Sequence, residues 1–92
     1  MDRLHGRTAL VTGAARGLGA RIVRRFAEEG AQVIVNDLNL TAAQETAKKY
    51  NGDAFACDVS NSSEVDRMFL DIAAKGLEID ILVNNAGISG LE

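Results

Sequence analysis

Short apolar runs alternate along the chain with longer segments in which apolar residues recur every three to four positions. The apolar runs are typical of buried parallel strands, and they lie at residues 8–11, 32–36, 53–57 and 79–83. The longer segments have the period of amphipathic helices, and they lie at residues 17–29, 41–50 and 61–75. This alternation of strand and helix predicts an α/β fold with a parallel sheet and helices on its faces.

Right-handed crossovers restrict the topology of such a sheet. If the sheet changes direction after the third strand, the strand order is 3-2-1-4 and the third helix lies on the face opposite the first two. We therefore predict a Rossmann-like three-layer half-domain of four parallel strands and three helices, formed by residues 1–92. The first and fourth strands are then neighbours at the switch point, where ligands bind in folds of this kind.

The helices are also marked by local signals at their ends and on their buried faces. A capping box formed by Thr41 and Gln44 predicts the start of the second helix, and Asn61 with Glu64 predicts the start of the third. Gly30 is placed to end the first helix. The predicted core-facing stripes are Leu18, Ile22 and Phe26 in the first helix and Val65, Met68, Phe69, Ile72 and Ala73 in the third.

The connection between the first strand and the first helix has the sequence TGAARGLG at residues 12–19. Gly13 permits a tight turn, while Gly17 and Gly19 lack Cβ atoms, so the backbone can approach a pyrophosphate and the helix can pack closely on the sheet. The start of the helix adds free N–H groups and a positive dipole. A plain strand-to-helix turn is the alternative. A P-loop is excluded because no Lys-Ser or Lys-Thr pair follows the last glycine.

Asp37 follows the second strand, 18 residues after Gly19. A carboxylate at this position can accept hydrogen bonds from both ribose hydroxyls of an adenosine and repels a 2′-phosphate, which favours NAD over NADP. Arg16 is a counter-signal, because a guanidinium beside the glycines can contact a 2′-phosphate. We give Asp37 the greater weight because its charge lies closer to the ribose. The alternatives are a solvated turn residue or N-cap for Asp37 and an exposed loop cation for Arg16.

Two further strand ends carry polar side chains. Asp58 and Val59 follow the third strand, where the carboxylate can bond the adenine amino group and the valine can pack on the ring. Residues 84–87, Asn-Asn-Ala-Gly, follow the fourth strand, and their amides can satisfy backbone groups and reach the ribose beside the nicotinamide. For Asn84 we favour a structural role. Each segment is alternatively a simple turn.

Composition narrows the class of protein without naming a chemistry. The 92-residue chain has a formal net charge of -3, which provides no basic surface for nucleic acid, and it has no apolar run approaching the ~20 residues of a membrane span. Its one cysteine, Cys57, excludes an intramolecular disulfide and is expected to be buried. We predict no metal site. Because no signal-peptide pattern is present, a cytoplasmic location is expected.

Taken together, the glycine segment, Asp37, residues 58–59 and residues 84–87 resemble the N-terminal half of the short-chain dehydrogenase/reductase family. The resemblance covers essentially the whole chain in the right order and spacing. It implies a parent reaction of hydride transfer between NAD(H) and an alcohol or ketone. The resemblance also implies cofactor contacts at Gly13, Arg16, Leu18, Asp37, Leu38, Asp58, Val59 and Asn85, and the residues argued above add Gly17, Gly19, Ala86 and Gly87 to the predicted cofactor-binding set.

The family's catalytic Ser and Tyr-x-x-x-Lys pair have no counterpart in this sequence. The single tyrosine, Tyr50, is followed four positions on by Ala54, and Ser89 lies too close to the Asn-Asn-Ala-Gly turn to be the family's serine. Tyr50 is better interpreted as a packing residue at a helix end. We therefore expect a chain that ends before the catalytic half of the domain, binds NAD weakly and does not turn over substrate.

Two other functions stay open at this point. One is a non-catalytic engineered or truncated scaffold with little or no cofactor binding. The other is a fragment of a Rossmann-like methyltransferase, against which the glycine spacing and the Asn-Asn-Ala-Gly turn argue. The predicted fold also leaves an unpaired edge on the fourth strand and apolar sheet uncovered beside the third helix. This leads to the hypothesis of a homodimer formed through that edge or that face.

Overall fold

The computed structural model describes residues 3–86 and contains the predicted elements in their predicted order. The strands are β1 (Thr8–Val11), β2 (Gln32–Asp37), β3 (Asp53–Ala56) and β4 (Ile81–Val83). The helices are α1 (Gly17–Glu28), α2 (Leu40–Lys48) and α3 (Ser62–Ala74). All strand pairs are parallel and the strand order is β3-β2-β1-β4, so the predicted topology is confirmed.

The two faces of the sheet are buried in separate apolar cores, because successive residues of a strand point to opposite faces. Helices α1 and α2 cover the first core, whose buried members are Val11, Ala14, Val23, Val33, Val35, Ala43 and Ala47. Helix α3 covers the second core, whose buried members are Leu10, Ile34, Cys57, Met68 and Ile72. The three predicted layers and the predicted burial of Cys57 are therefore confirmed. Across residues 3–86, none of the helices has the length and apolar content that a membrane span requires.

The buried face of α1 differs from the predicted stripe at one end. Ile22 and Phe26 pack against the first core as predicted, but Leu18 is 55% exposed. The fully buried positions of the helix are instead Gly19 and Val23. The face shifts because Gly19 has no side chain, which lets the first turn of α1 come close to the end of β1.

The predicted stripe of α3 is also only partly buried. Met68 and Ile72 are buried, and Val65 is half-buried against the second core. Phe69 is 39% exposed and Ala73 is exposed, contrary to the prediction. Within residues 3–86 no other helix lies beside α3 on this face, so the side chains on its flanks, such as Phe69, have no neighbouring helix to pack against.

The second helix begins differently from the prediction. It starts at Leu40, and its N-cap is Asn39, whose side chain accepts a hydrogen bond of 3.0 Å from the N–H of Ala42. The predicted capping box of Thr41 and Gln44 is therefore wrong. Asparagine is among the strongest N-cap residues, so it takes the cap ahead of a threonine two positions later.

Other element ends lie where the local signals place them. Asn61 caps α3 and accepts a hydrogen bond of 3.1 Å from the N–H of Glu64. Gly30 has a φ of 95° directly after the C-cap of α1, which is the left-handed conformation that glycine permits. Asp37 is the last residue of β2 rather than the residue after it, so its position is fixed by strand pairing.

Candidate functional site

Because all the strands are parallel, the carboxyl ends of all four lie along the same side of the sheet, which we call the carboxyl edge. The glycine turn, residues 12–19, leaves β1 at this edge, and Asp37 ends β2 there. The Asp58 turn, residues 57–60, follows β3, and residues 84–86 follow β4. The fold thus brings together predicted site residues from four separate parts of the chain. Gly87 of the predicted set lies outside the described residues.

Gly13 and Gly19 are positions at which the glycine turn has no room for a side chain. Gly13 has a φ of 59°, and a Cβ there would lie 3.0 Å from the Cα of Ala86. A Cβ on Gly19 would overlap the backbone oxygen of Gly13 and would lie 2.6 Å from Nδ2 of Asn85. The absence of both side chains therefore lets α1, the end of β1 and the segment after β4 pack against one another.

Gly17 differs from these two glycines because the space beside it is open. Its φ is 62°, and a Cβ at this position would have no atom within 4 Å. The backbone conformation favours glycine, since a left-handed conformation costs other residues about 1–2 kcal/mol. Packing does not require glycine here. The backbone at the start of α1 is consequently open to a ligand from outside.

Among the three helices of residues 3–86, α1 is the one whose N-terminus has no side-chain cap. Arg16 occupies the N-cap position without a capping hydrogen bond, and the first turn contains no acidic residue. Helices α2 and α3 are capped by Asn39 and Asn61. The first N–H groups of any helix have no partner within it, and they lie at the positive end of the helix dipole. This end of α1 is therefore suited to bind a phosphate group.

Two backbone N–H groups hold the Asp37 carboxylate at the same edge. Oδ1 accepts a hydrogen bond from the N–H of Ala15 at 3.4 Å, and Oδ2 accepts one from the N–H of Asn39 at 3.1 Å. These bonds tie the glycine turn to the start of α2. Nearby, Leu18 and Leu38 are 55% and 74% exposed. The edge thus offers a fixed negative charge together with apolar side chains that the protein's own cores leave uncovered.

The Asp58 turn is held by its own hydrogen bonds. Oδ1 of Asp58 accepts bonds from the hydroxyl of Ser60 at 2.6 Å and from its N–H at 2.9 Å, and these bonds lower the pKa of Asp58. The N–H of Asp58 donates to Oε1 of Glu64 at 2.9 Å. Val59 is half-buried against the second core. Burial, followed by the negative charges of Glu64 and Asp58, raises the pKa of the Cys57 thiol.

Asn85 is directed into the glycine turn. It is 1% exposed, and its Nδ2 donates a hydrogen bond of 3.0 Å to the backbone oxygen of Gly13. Its own N–H donates to the oxygen of Val83 at 3.1 Å. The geometry gives Asn85 the task of holding Gly13 in place. A direct contact between Asn85 and a cofactor stays a prediction.

Thr12 joins the ends of β1 and β4. Its hydroxyl oxygen accepts a hydrogen bond of 3.1 Å from the N–H of Ala86. The hydroxyl is also within donating distance of the oxygen of Val83, at 3.4 Å, and of Oδ1 of Asn84, at 3.3 Å. Asn84 thus makes a contact within the protein, in line with the structural role predicted for it.

Two polar residues that hold the glycine turn escape prediction from the sequence. Asn36 is 1% exposed, and its Oδ1 accepts a hydrogen bond of 3.4 Å from the N–H of Gly13. The hydroxyl of Thr46, on the buried face of α2, donates to the oxygen of Ala15 at 2.8 Å. Both residues are polar positions within an apolar pattern, which is the sequence feature that could have identified them. Asn36 follows the Val-Ile-Val run of β2, and Thr46 lies one turn after Ala43 on the buried side of α2.

The sequence and the fold both match known enzymes. Residues 7–92 match the short chain dehydrogenase family. The chain is 44% identical to D-threitol dehydrogenase of Mycolicibacterium smegmatis and 42% identical to sorbitol dehydrogenase of Cereibacter sphaeroides, with 97% of this chain and 36% of each relative covered. A crystal structure of a short chain dehydrogenase from Mycobacterium smegmatis superposes with a TM-score of 0.83 at 34% identity, covering 92% of this chain and 38% of that chain.

The three-layer parallel sheet with a glycine-rich first turn defines a Rossmann-type protein. Within that class, the chain belongs to the short-chain dehydrogenase/reductase family. Members of this family are oxidoreductases that use NAD or NADP as cofactor. The chain spans about a third of the length of the curated relatives that it matches.

Proposed function

We propose that this chain binds NAD(H) and forms the adenosine- and pyrophosphate-binding portion of a short-chain dehydrogenase/reductase. The parent reaction is hydride transfer between NAD(H) and an alcohol or ketone. One arrangement supports the proposal. The N-terminus of α1 has no side-chain cap, and the space beside Gly17 at that end of the helix is open. The turn that leads into this helix is bonded to the Asp37 carboxylate through the N–H of Ala15. Residues 1–92 are then one portion of a dinucleotide-binding domain.

The first turn of α1 is suited to the pyrophosphate. No side chain caps its N–H groups, so an anionic oxygen can accept hydrogen bonds from them. A hydrogen bond to a charged acceptor contributes about 1.5–3 kcal/mol. The open space at Gly17 lets phosphate oxygens reach the backbone. The tight packing of Gly13 and Gly19 fixes the turn beforehand, which lowers the entropy cost of binding.

The Asp37 carboxylate is suited to the adenosine ribose. Two N–H groups hold it, and an ionised carboxylate has about four lone-pair sites, so acceptor capacity is left for two ribose hydroxyls. Asp58, whose pKa is lowered by Ser60, is ionised at neutral pH and can accept a hydrogen bond from the adenine amino group. The exposed Leu18 and Leu38 offer apolar surface to the rest of the nucleoside.

The same carboxylate supports NAD rather than NADP as the preferred cofactor. Two like charges about 4 Å apart repel by roughly 1–4 kcal/mol between water and a protein surface, so Asp37 opposes a 2′-phosphate. Arg16 is the group that would favour NADP, but its side chain is exposed and makes no capping bond. A carboxylate fixed by two hydrogen bonds acts at a defined place, whereas an exposed arginine must lose side-chain entropy to act.

The nicotinamide, when bound, gives up or accepts the hydride, but the reaction also needs a proton donor or acceptor beside the substrate. The 92-residue sequence has no Tyr-x-x-x-Lys pair for that step, and Tyr50 packs against the first core. We therefore propose that the chain by itself binds cofactor without turnover. Incubation with NADH and a panel of ketones is expected to give no oxidation above a buffer blank.

The binding proposal is tested with two glycine variants that carry the same backbone strain. Gly17→Ala and Gly76→Ala both place a Cβ at positive φ, 62° and 78°, and in both the Cβ meets no atom within 4 Å. Gly17 lies at the proposed site, whereas Gly76 follows α3 on the opposite side of the sheet, where the amino ends of the strands lie. In equilibrium titrations Gly17→Ala is expected to weaken NAD binding about tenfold or more, and Gly76→Ala to leave it unchanged.

Two results would count against the binding proposal. Equal NAD affinity in both glycine variants would show that the N-terminus of α1 does not hold the cofactor. Absence of NAD binding by the folded, unmutated chain would favour the alternative, a Rossmann scaffold without cofactor function.

We also propose that two copies of the chain associate through the edge of β4 or the face beside α3. Leu82, at the exposed edge strand, pairs in register with Leu10, whose side chain belongs to the second core. Leu82 therefore points to the α3 side, where it is 57% exposed. Phe69 and Leu70 of α3 are 39% and 67% exposed. This apolar surface supports self-association.

A further inference from the structure

Asn36 lies buried between two parts of the site that are far apart in the sequence. Its Oδ1 accepts a hydrogen bond of 3.4 Å from the N–H of Gly13 in the glycine turn. Its Nδ2 donates to the backbone oxygens of Phe55 at 3.2 Å and of Cys57 at 3.3 Å, at the end of β3 where the Asp58 turn begins. One side-chain amide thus joins the turns on both sides of β2.

The backbone of Asn36 adds to this connection. Its carbonyl oxygen accepts a hydrogen bond of 2.8 Å from the N–H of Ala14. Two consecutive N–H groups of the glycine turn, those of Gly13 and Ala14, are therefore bonded to the same residue. On the α3 side, Nδ2 also donates a hydrogen bond of 3.5 Å to Sδ of Met68. Asn36 is 1% exposed, so water does not compete for these bonds.

Only a primary amide offers this combination of an acceptor on one side and two donors on the other. An aspartate of nearly the same shape keeps the acceptor for Gly13 but loses the donors to Phe55 and Cys57. A leucine loses both and leaves buried backbone groups without partners, which is costly. The amide therefore does more than fill space at the end of an apolar strand.

We propose that Asn36 is a positioning residue that sets the distance between the glycine turn and the Asp58 turn. This inference rests on the proposed function, in which the glycine turn holds the pyrophosphate and the Asp58 turn holds the adenine. A ligand that spans both turns depends on their spacing. A ligand that occupies only the adenosine side depends on it much less.

The test compares the affinities of ADP and adenosine in the unmutated chain and in Asn36→Asp. The ratio of ADP affinity to adenosine affinity is expected to fall about tenfold in Asn36→Asp, with adenosine affinity changed less than about threefold. Met68→Leu is the matched control: this volume-conserving change removes only the sulfur acceptor and keeps the amide's bonds to Gly13, Phe55 and Cys57, so it is expected to keep the ratio. Circular dichroism confirms that each protein compared is folded.

Two results would overturn the inference alone. One is a folded Asn36→Asp whose ADP and adenosine affinities both equal those of the unmutated chain, and the other is an equal loss of both affinities, as expected for a purely structural residue. Absence of ADP and adenosine binding by the unmutated chain would instead overturn the proposed function, and this inference with it.

A second measurement decides the matter if Asn36→Asp does not fold. The unmutated chain is titrated with inorganic pyrophosphate and observed by NMR. We expect shifts at the Gly13 amide, at the Asn36 side-chain amide and at the Cys57 amide with one common saturation curve. Shifts confined to residues 12–19 would overturn the inference, since the two turns would then respond independently.

Discussion

Asp37 places a negative charge at a fixed point where β2 ends. Replacing it by asparagine keeps a side-chain oxygen for the N–H of Ala15 or Asn39 and removes the charge. We therefore predict that Asp37→Asn lowers the ratio of NAD affinity to NADP affinity about tenfold, because the repulsion of a 2′-phosphate is lost. Parallel titrations with the two cofactors measure this ratio.

The control for Asp37→Asn is Asp53→Asn, which makes the same change in net charge. Asp53 is the first residue of β3 and lies at the amino ends of the strands, away from the carboxyl edge. Asp53 forms an exposed ion pair with Lys75 and lies away from the glycine turn. An equal fall of the ratio in both variants would mean that overall charge, and not the place of Asp37, sets the preference.

Cys57 combines burial with two neighbouring negative charges, which raises its thiol pKa in the folded protein. The protonated thiol therefore contributes stability that is fully present below the pKa of an unfolded thiol and is lost as pH rises through the raised pKa of the folded chain. We predict that iodoacetamide modifies Cys57 much more slowly in the native chain than in the urea-unfolded chain at pH 8.5. Mass spectrometry follows the reaction, and equal rates in the two states would refute the prediction.

At the scale of single residues, the sequence identifies groups whose role depends on their place at an element end. Gly13 and Asp37 are of this kind, because a strand end and a helix start can be located from the apolar pattern. The tasks of Asn36, Thr46 and Asn85 could not be predicted in the same way. Each bonds the backbone of a segment 23 or more residues distant, and only the folded chain brings these groups together.

Helix α3 is the single described helix on its face of the sheet, so the second core depends on it. Asn61 caps the start of this helix, because its Oδ1 accepts a hydrogen bond from the N–H of Glu64. We predict that Asn61→Ala lowers the free energy of unfolding by about 1 kcal/mol, the usual cost of losing an asparagine cap. In a domain of this size that corresponds to a fall of about 4–8 °C in Tm, measured by thermal unfolding.

Ser63→Ala provides the matched control for the cap. Ser63 is exposed in the first turn of α3, and alanine favours helix at that position. Its Tm is expected to stay the same or rise slightly. A fall in Tm for Ser63→Ala equal to that for Asn61→Ala would show that the cap is not what stabilises the start of α3.

At the scale of elements, order and type follow from the apolar pattern, while exact faces and ends do not. The period of α3 predicts five core positions, but a sheet covered by one helix buries only Met68 and Ile72 completely. The start of α2 depends on competition between Asn39 and Thr41 for the cap, which a capping-box pattern alone does not resolve.

On the scale of the whole molecule, the two faces of the sheet are unequally covered. Two helices pack on the first core and one on the second, where Leu82 stays 57% exposed. We predict that the chain sediments as a concentration-dependent dimer and that Leu82→Lys shifts it to monomer. Leu40→Lys, at the start of α2 and 43% exposed, is expected to leave the dimer intact. A monomer at every concentration would contradict the proposed association.

The whole-molecule topology was predictable because chirality leaves few choices for alternating strands and helices. The order 3-2-1-4 then determines that the ends of β1 and β2 adjoin, and with them the glycine turn and Asp37. That juxtaposition is the basis of the cofactor proposal.

The most direct test of the account is an NMR titration of the folded 92-residue chain with NAD. We predict saturable shifts at the amides of residues 13–19 and of Asp37, with little change at Gly76 or Asp53 on the opposite edge. A well-dispersed spectrum that shows no shifts, or shifts only at the opposite edge, would contradict the claim that the carboxyl edge of this sheet binds the cofactor.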